Sequence, residues 1–338
     1  MIRSASAAAP QNILLIRLKS IGDVLFTLPA VQVVRENFPA AKIHFLVSKE
    51  FASIVEGFAD VDEIIPLDRS VYRAGNWLAA AAGTTRLLRD LRRKQFSHVL
   101  DFQGYAETEA LAWWTGAPER WGNVYHPSRG WSYTRTSARD KKIHPAEWNL
   151  QLLRRCGLNP GNVRNEFRLP STALSAAENF LAGHKIDRRQ PVLFLQPFTS
   201  SAWKNWPVEN FLQVAAHFRA QGVQIIFGGG PGDLPKLESA RAAGHAVAAG
   251  APLLVSAALT KFSTVVLGGD TGLLHFAVAL SRRVVMLMVC NAPGSPHPFQ
   301  HPDWAVTSRS KTVAEIPVET VIAACAQAFS ERAGNVSC

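Results

Sequence analysis

Lys19-Ser20-Ile21-Gly22-Asp23 stands between an apolar run and a stretch of helical spacing. Gly22 allows a tight backbone turn there. A carboxylate at the start of a helix has two uses. As a cap it satisfies free amides; as a general base it takes a proton from a substrate hydroxyl. The loop alone leaves both open for Asp23. A second loop, Gln196 to Pro207, carries Thr199, Ser200 and Ser201 in succession, then Trp203, Lys204 and Trp206. Hydroxyls, backbone amides and one ammonium beside a helix start suit a phosphate. The plainer reading is a capped loop with a surface lysine, its indoles lining a pocket or an interface. A third loop is Gly268-Gly269-Asp270-Thr271-Gly272-Leu273-Leu274-His275. Thr271 and His275 are four apart and can share a helix face. The helix start offers amides and partial positive charge to an anion. The alternative makes Asp270 a cap and His275 a packing residue.

Other candidates are weaker. Gly228-Gly229-Gly230-Pro231-Gly232-Asp233 invites a dinucleotide reading, but a GxGxxG frame from Gly228 needs glycine where Asp233 stands. No GxxxxGK(S/T) motif occurs. Asp60-Val61-Asp62 precedes a strand pattern, so it is no strand-end carboxylate pair for a metal.

The elements that must position these loops are short apolar runs alternating with amphipathic ones. Residues 12–17, 42–47, 61–66 and 97–102 read as strands, and 22–38 and 74–94 as helices. Residues 123–142 read as irregular and basic, 146–156 as helical, and 159–190 partly as linker. The alternation restarts with strands at 192–196, 223–227, 262–267 and 284–289 and helices at 207–221 and 318–329. The expected fold is α/β, with two Rossmann-like doubly wound domains, residues 1–175 and 176–338. Ligands in such sheets sit in the loops at the strands' carboxyl ends.

Composition agrees. The 338 residues suit two domains of about 150 each, and the chain is 47% hydrophobic with 18% charged residues, enough to bury cores. A net charge of +10 favours anionic partners: nucleic acid, an acidic membrane surface or phosphorylated small molecules. No run approaches the ~18 apolar residues of a membrane span, and the first residues make a poor signal peptide. Cys156, Cys290, Cys325 and Cys338 have no CxxC spacing, which fits a reducing cytosol.

Together the loops resemble a family. IRLKSIGDVLFTLPAVQVVRENFPAAKIHFLV is similar to the amino-terminal signature of family 9 glycosyltransferases, the lipopolysaccharide heptosyltransferases. TSSAWKNWPVENF, GGGPGD and GGDTGLLHFAVAL resemble its carboxy-terminal series, in order, so the likeness spans about residues 12–330. It implies a GT-B architecture of two facing domains with a cleft, acceptor bound by the first and nucleotide sugar, usually ADP-heptose, by the second. It implies inverting transfer without a metal or other cofactor. Carried over, Asp23 is the base, and Thr199, Ser200, Lys204, Asp270, Thr271, Gly272 and His275 hold the donor. The last helix is expected to pack back on the first domain.

Gly22, Arg69 and Arg73 are the expected acceptor contacts, with Arg129, Arg135, Arg139, Lys141 and Lys142 as further basic residues on the acceptor side. The expected partners are a nucleotide sugar and an anionic glycolipid at the cytoplasmic face of the inner membrane, and no nucleic acid. The chain departs from the family pattern after Asp101-Phe102-Gln103-Gly104, where Glu107 stands in place of the usual basic residue. It departs again after the DTG motif, where Arg282 and Arg283 replace a proline-led approach to the next strand. A non-catalytic nucleotide- or glycan-binding protein and an NAD-dependent oxidoreductase are the readings from other classes.

Overall fold

The structure, a computed structural model, describes residues 11–70, 77–126, 129–290 and 293–334. It divides into two compact units between Asn165 and Glu166. The first holds β1 (Asn12–Ile16), α1 (Ile21–Leu25), α2 (Leu28–Asn37), β2 (Lys42–Ser48), α3 (Ala52–Val55), β3 (Glu63–Leu67), α4 (Trp77–Arg93), β4 (His98–Asp101), α5 (Ala106–Trp114), β5 (Glu119–Val124), β6 (Arg135–Ala138) and α6 (Pro145–Arg155). Its sheet runs β3-β2-β1-β4-β5-β6, every pair parallel. Ile13 to Ile16 are fully buried, as a central parallel strand covered on both faces requires. The helix expected over 22–38 is two helices. Thr27 Oγ1 donates to the Val24 carbonyl at 2.6 Å, and Pro29 falls in the first turn of α2, where its missing N–H is harmless.

The second unit holds α7 (Ser171–Gly183), β7 (Val192–Gln196), α8 (Val208–Arg219), β8 (Gln224–Gly229), α9 (Glu238–Ala242), β9 (Ala246–Ala249), α10 (Leu253–Phe262), β10 (Val265–Gly269), α11 (Gly272–Ala279), β11 (Arg283–Met288), β12 (Ala305–Thr307) and α12 (Val318–Gly334). The sheet order β12-β11-β10-β7-β8-β9 is again all parallel. Read from its first strand, it is the same winding as the first unit. The expected doubly wound α/β fold is therefore present twice.

Two expectations need correction. The boundary lies before 175, because α7 packs on α10 of the second unit; α7 occupies the middle of the stretch read partly as linker. Residues 123–142 hold the end of β5 and edge strand β6, whose polar RTSA shows no apolar alternation. The last helix packs on its own unit. Its stripe of Val321, Cys325 and Ala328 is buried in the second unit's own core, and Arg283 holds Glu331 at 2.8 Å. Among the described residues no helix is long and apolar enough to cross a membrane.

In each unit the strand order reverses between the first and fourth strands, β1/β4 and β7/β10. The loops that follow those four strands carry most of the residues singled out for chemistry. Such switch points are where open α/β sheets bind ligands.

Candidate active site

In the first unit Ser20, not Asp23, is the N-cap of α1. Asp23 is the third helical residue, and its Oδ2 accepts from Ser20 N and Ser20 Oγ, each at 3.3 Å. The same oxygen takes Nη2 of Arg17 at 2.8 Å. Among the described residues Oδ1 has no partner, and the side chain is 40% exposed. One carboxylate oxygen thus anchors the loop, and the other is left without a partner among the described residues. Gly22 lies within α1, beside Asp23.

Arg17 was not singled out in the sequence. It is 5% exposed, with Nη1 on the Phe102 carbonyl at 2.5 Å and Nε on the Lys19 carbonyl at 3.1 Å. Gln103 completes the tie, its Oε1 accepting from Leu18 N and Lys19 N at 3.0 and 3.3 Å. Asp101 shapes the loop after β4, accepting from Gln103 N, Gly104 N and Tyr133 Oη at 2.7, 3.0 and 2.6 Å. Burial pushes the Asp101 carboxyl up against these bonds and one from Thr108. Gly104 has φ +67°, and a Cβ there would meet the Asn123 carbonyl oxygen at 2.1 Å. The two loops at this switch point are one hydrogen-bonded body, with Asp23 on its exposed side.

Arg69 follows β3 and pairs with Glu107 at 3.2 Å, beside a pocket of about 460 Å³ walled by Leu18, Leu67, Leu87 and Leu111. Arg73 lies outside the described residues. Arg135 donates to the Cys156 carbonyl at 2.8 Å, a fold contact.

The second unit brings Lys204, Asp270 and His275 together. Lys204 Nζ sits 2.6 Å from Asp270 Oδ2, and His275 Nε2 lies 3.2 Å from Oδ1. Burial alone would raise the Asp270 carboxyl, but His275 first and Lys204 next outweigh it, and the group is held below its usual range. The cap of α11 is Thr271, whose Oγ1 accepts from Leu274 N at 3.4 Å. Asp270, weighed as that cap, instead orients the two cation-capable side chains. Gly272 opens the helix. Thr199 turns inward, its N–H on Asn205 Oδ1 at 2.8 Å and its Oγ1 on the Ser201 carbonyl at 2.8 Å. Ser200 is exposed on that turn. The tryptophans separate. Trp206 is core, donating to the Ile316 carbonyl at 2.9 Å, whereas Trp203 is 54% exposed with Lys204 Nζ 5.2 Å from its ring centre. A mainly apolar pocket of about 240 Å³, lined in part by Trp203, Met288, Val289 and Pro296, opens beside the ion pair.

Gly269 keeps these loops together. A Cβ there would lie 2.7 Å from Thr199 Cγ2 and 2.9 Å from the Lys204 carbonyl oxygen. Gly269→Ala is expected to cost about 1–3 kcal/mol of stability, read by thermal melting.

The remaining candidates are structural. Asp233 caps its own turn through Gly230 N at 2.9 Å, and a Cβ on Gly228 would strike the Phe194 ring at 2.4 Å. Asp62 accepts from Ile43 N at 2.7 Å and holds Arg35.

A family model described as glycosyltransferase family 9 (heptosyltransferase) matches residues 84–319. Lipopolysaccharide heptosyltransferase 1 of Escherichia coli O18:K1:H7 is 24% identical over 309 residues, 84% of this chain and 92% of that protein. The solved glycosyl transferase family 9 protein from Veillonella parvula DSM 2008 superposes with a TM-score of 0.83 at 21% identity, over 95% of this chain and 97% of its own. The E. coli heptosyltransferase WaaC with ADP-2-deoxy-2-fluoro heptose superposes with a TM-score of 0.74 at 21% identity, over 94% and 99%.

Proposed function

Because the chain belongs to glycosyltransferase family 9 (heptosyltransferase), we propose that it moves a heptose from ADP-heptose onto a lipopolysaccharide inner-core acceptor with inversion. The observation that carries the reading is the Lys204–Asp270–His275 assembly at the start of α11, at the switch point of a doubly wound sheet. A diphosphate there meets free amides of the helix start and the ammonium of Lys204. The apolar pocket beside Trp203 takes the nucleoside.

In the reaction, the acceptor oxygen bonds to the anomeric carbon as the bond to the diphosphate breaks. Asp23 Oδ1 receives the acceptor's proton, because a neutral hydroxyl is a poor nucleophile. Charge growing on the leaving diphosphate is stabilised by Lys204 and the α11 amides. This reading needs no metal ion. The protein then works where its lipid-linked acceptor is found, at the cytoplasmic face of the inner membrane.

A thermal-shift panel tests the donor. ADP-heptose at a hundred times its Kd stabilises the fold by about 2.7 kcal/mol through mass action, and ADP shifts it less. A shift by another nucleotide sugar, with none by ADP-heptose, would transfer the reading to that donor.

A further inference from the structure

An aromatic and basic patch stands at the end of the first unit opposite Asp23. Helices α4 and α5 pack together on the sheet. Each leads into the next parallel strand, so its last turn lies at the amino end of the strands. There Trp113 is 53%, Trp114 44% and Trp131 69% exposed. The other large apolar side chains exposed among the described residues, Trp203 and Leu234, belong to the second unit. The indoles are held in place. The rings of Trp113 and Trp131 lie 5.9 Å apart between centres, tilted by 49°. Ser132 ties the Trp131 turn to α5, its Oγ donating to the Glu109 carbonyl at 3.0 Å. Trp114 Nε1 donates to the Leu88 carbonyl of α4 at 3.1 Å, and Arg92 Nη1 to the Trp114 carbonyl at 3.1 Å.

Arginines surround these rings. Arg86, Arg89 and Arg93 have the spacing to share one face of α4, and all three are exposed. Among the described residues none of them has a carboxylate partner, and Asp90 is the one acidic residue of the helix. A pocket of about 430 Å³ lies between α4 and Trp114, lined in part by Leu88, Arg89, Arg92 and Arg93. Positive charge with so little counter-charge calls for an anionic partner. Indoles with no exposed aliphatic neighbour suit the headgroup level of a bilayer, where one side of the ring is apolar and the other wet.

We propose that Trp113, Trp114 and Trp131, with Arg86, Arg89 and Arg93, dock the first unit on an anionic bilayer surface. The arginine-lined pocket takes a lipid phosphate, and the indoles enter the headgroup layer. The patch and the Asp23 loop are at opposite ends of the strands, so docking leaves that loop uncovered. The proposal deepens the reading of a lipid-linked acceptor and rests on it only for which membrane is met.

The test uses the full chain with vesicles of phosphatidylglycerol and phosphatidylcholine, against phosphatidylcholine alone. Flotation with the anionic vesicles is expected, falling as salt is raised. Arg89→Gln/Arg93→Gln weakens it at least about tenfold, whereas Arg89→Lys/Arg93→Lys keeps most of it. Trp113→Ala/Trp131→Ala weakens it by about tenfold through lost apolar contact. Lipids brominated near the headgroup quench tryptophan emission in the wild type and less in that variant. Unchanged melting shows that each variant is folded. Equal binding to both vesicles, or no loss in the glutamine and alanine variants, overturns the proposal. So does a dimer that the tryptophan variant lacks, since the occupant is then a second copy. Displacement from vesicles by inorganic phosphate at constant ionic strength also overturns it, since the pocket then serves a soluble anion. On a water-soluble, deacylated acceptor every variant keeps the wild-type rate; a fall there overturns it too. If no donor is turned over, the transferase reading fails, and the vesicle arms still decide the docking surface.

Discussion

Asp23→Asn is expected to lower turnover by about 10²–10⁴ with the fold and donor affinity intact. The prediction rests on the division of labour between the two carboxylate oxygens. Oδ2 is held by Arg17 and by Ser20, so the side chain cannot swing away, while Oδ1 is open. Asparagine retains an oxygen for Arg17 and Ser20 but has no lone pair basic enough to take a proton. If Asp23 were only a helix-capping partner, the substitution would move the melting temperature and leave turnover near wild type. Steady-state rates with a melting curve separate the two.

The loop around Asp23 was legible because its neighbours are. A buried strand reads as NILLI, a helix follows, and the turn between them is a known place for ligands. Arg17 was not legible. It ends an apolar run, and its main partner is the Phe102 carbonyl, 85 residues away. A guanidinium that satisfies two backbone carbonyls has no local sequence signal. Asp270 was found by type, but which residue caps the helix was not legible, since Asp and Thr are both good caps and only the structure assigns that place to Thr271. Strand β6 is polar and on the sheet edge, and helix α7 is bracketed by Pro170 and Gly183, so composition read both as connections.

Lys204→Ala is expected to reduce turnover by about 10²–10³, the usual cost of removing one group that stabilises charge in the transition state, and to weaken donor binding as well. It also strips the mostly buried Asp270 of its cation, leaving His275 as its partner. Orphaning a buried charge destabilises a fold independently of catalysis. The double variant Lys204→Ala/Asp270→Asn separates these effects. Removing the carboxylate's charge should recover much of the lost melting temperature and none of the lost rate. Recovery of the rate by the double variant would mean that Lys204 serves the fold, not the diphosphate.

The anomeric centre of the product tests inverting transfer from ADP-heptose with Asp23 as base. Transfer to an inner-core oligosaccharide can be followed by released ADP and by NMR of the new glycosidic linkage. One ADP per linkage, an inverted anomeric configuration, and loss of both signals together in Asp23→Asn are expected. Retained configuration, or linkage formation undiminished in Asp23→Asn, would contradict it.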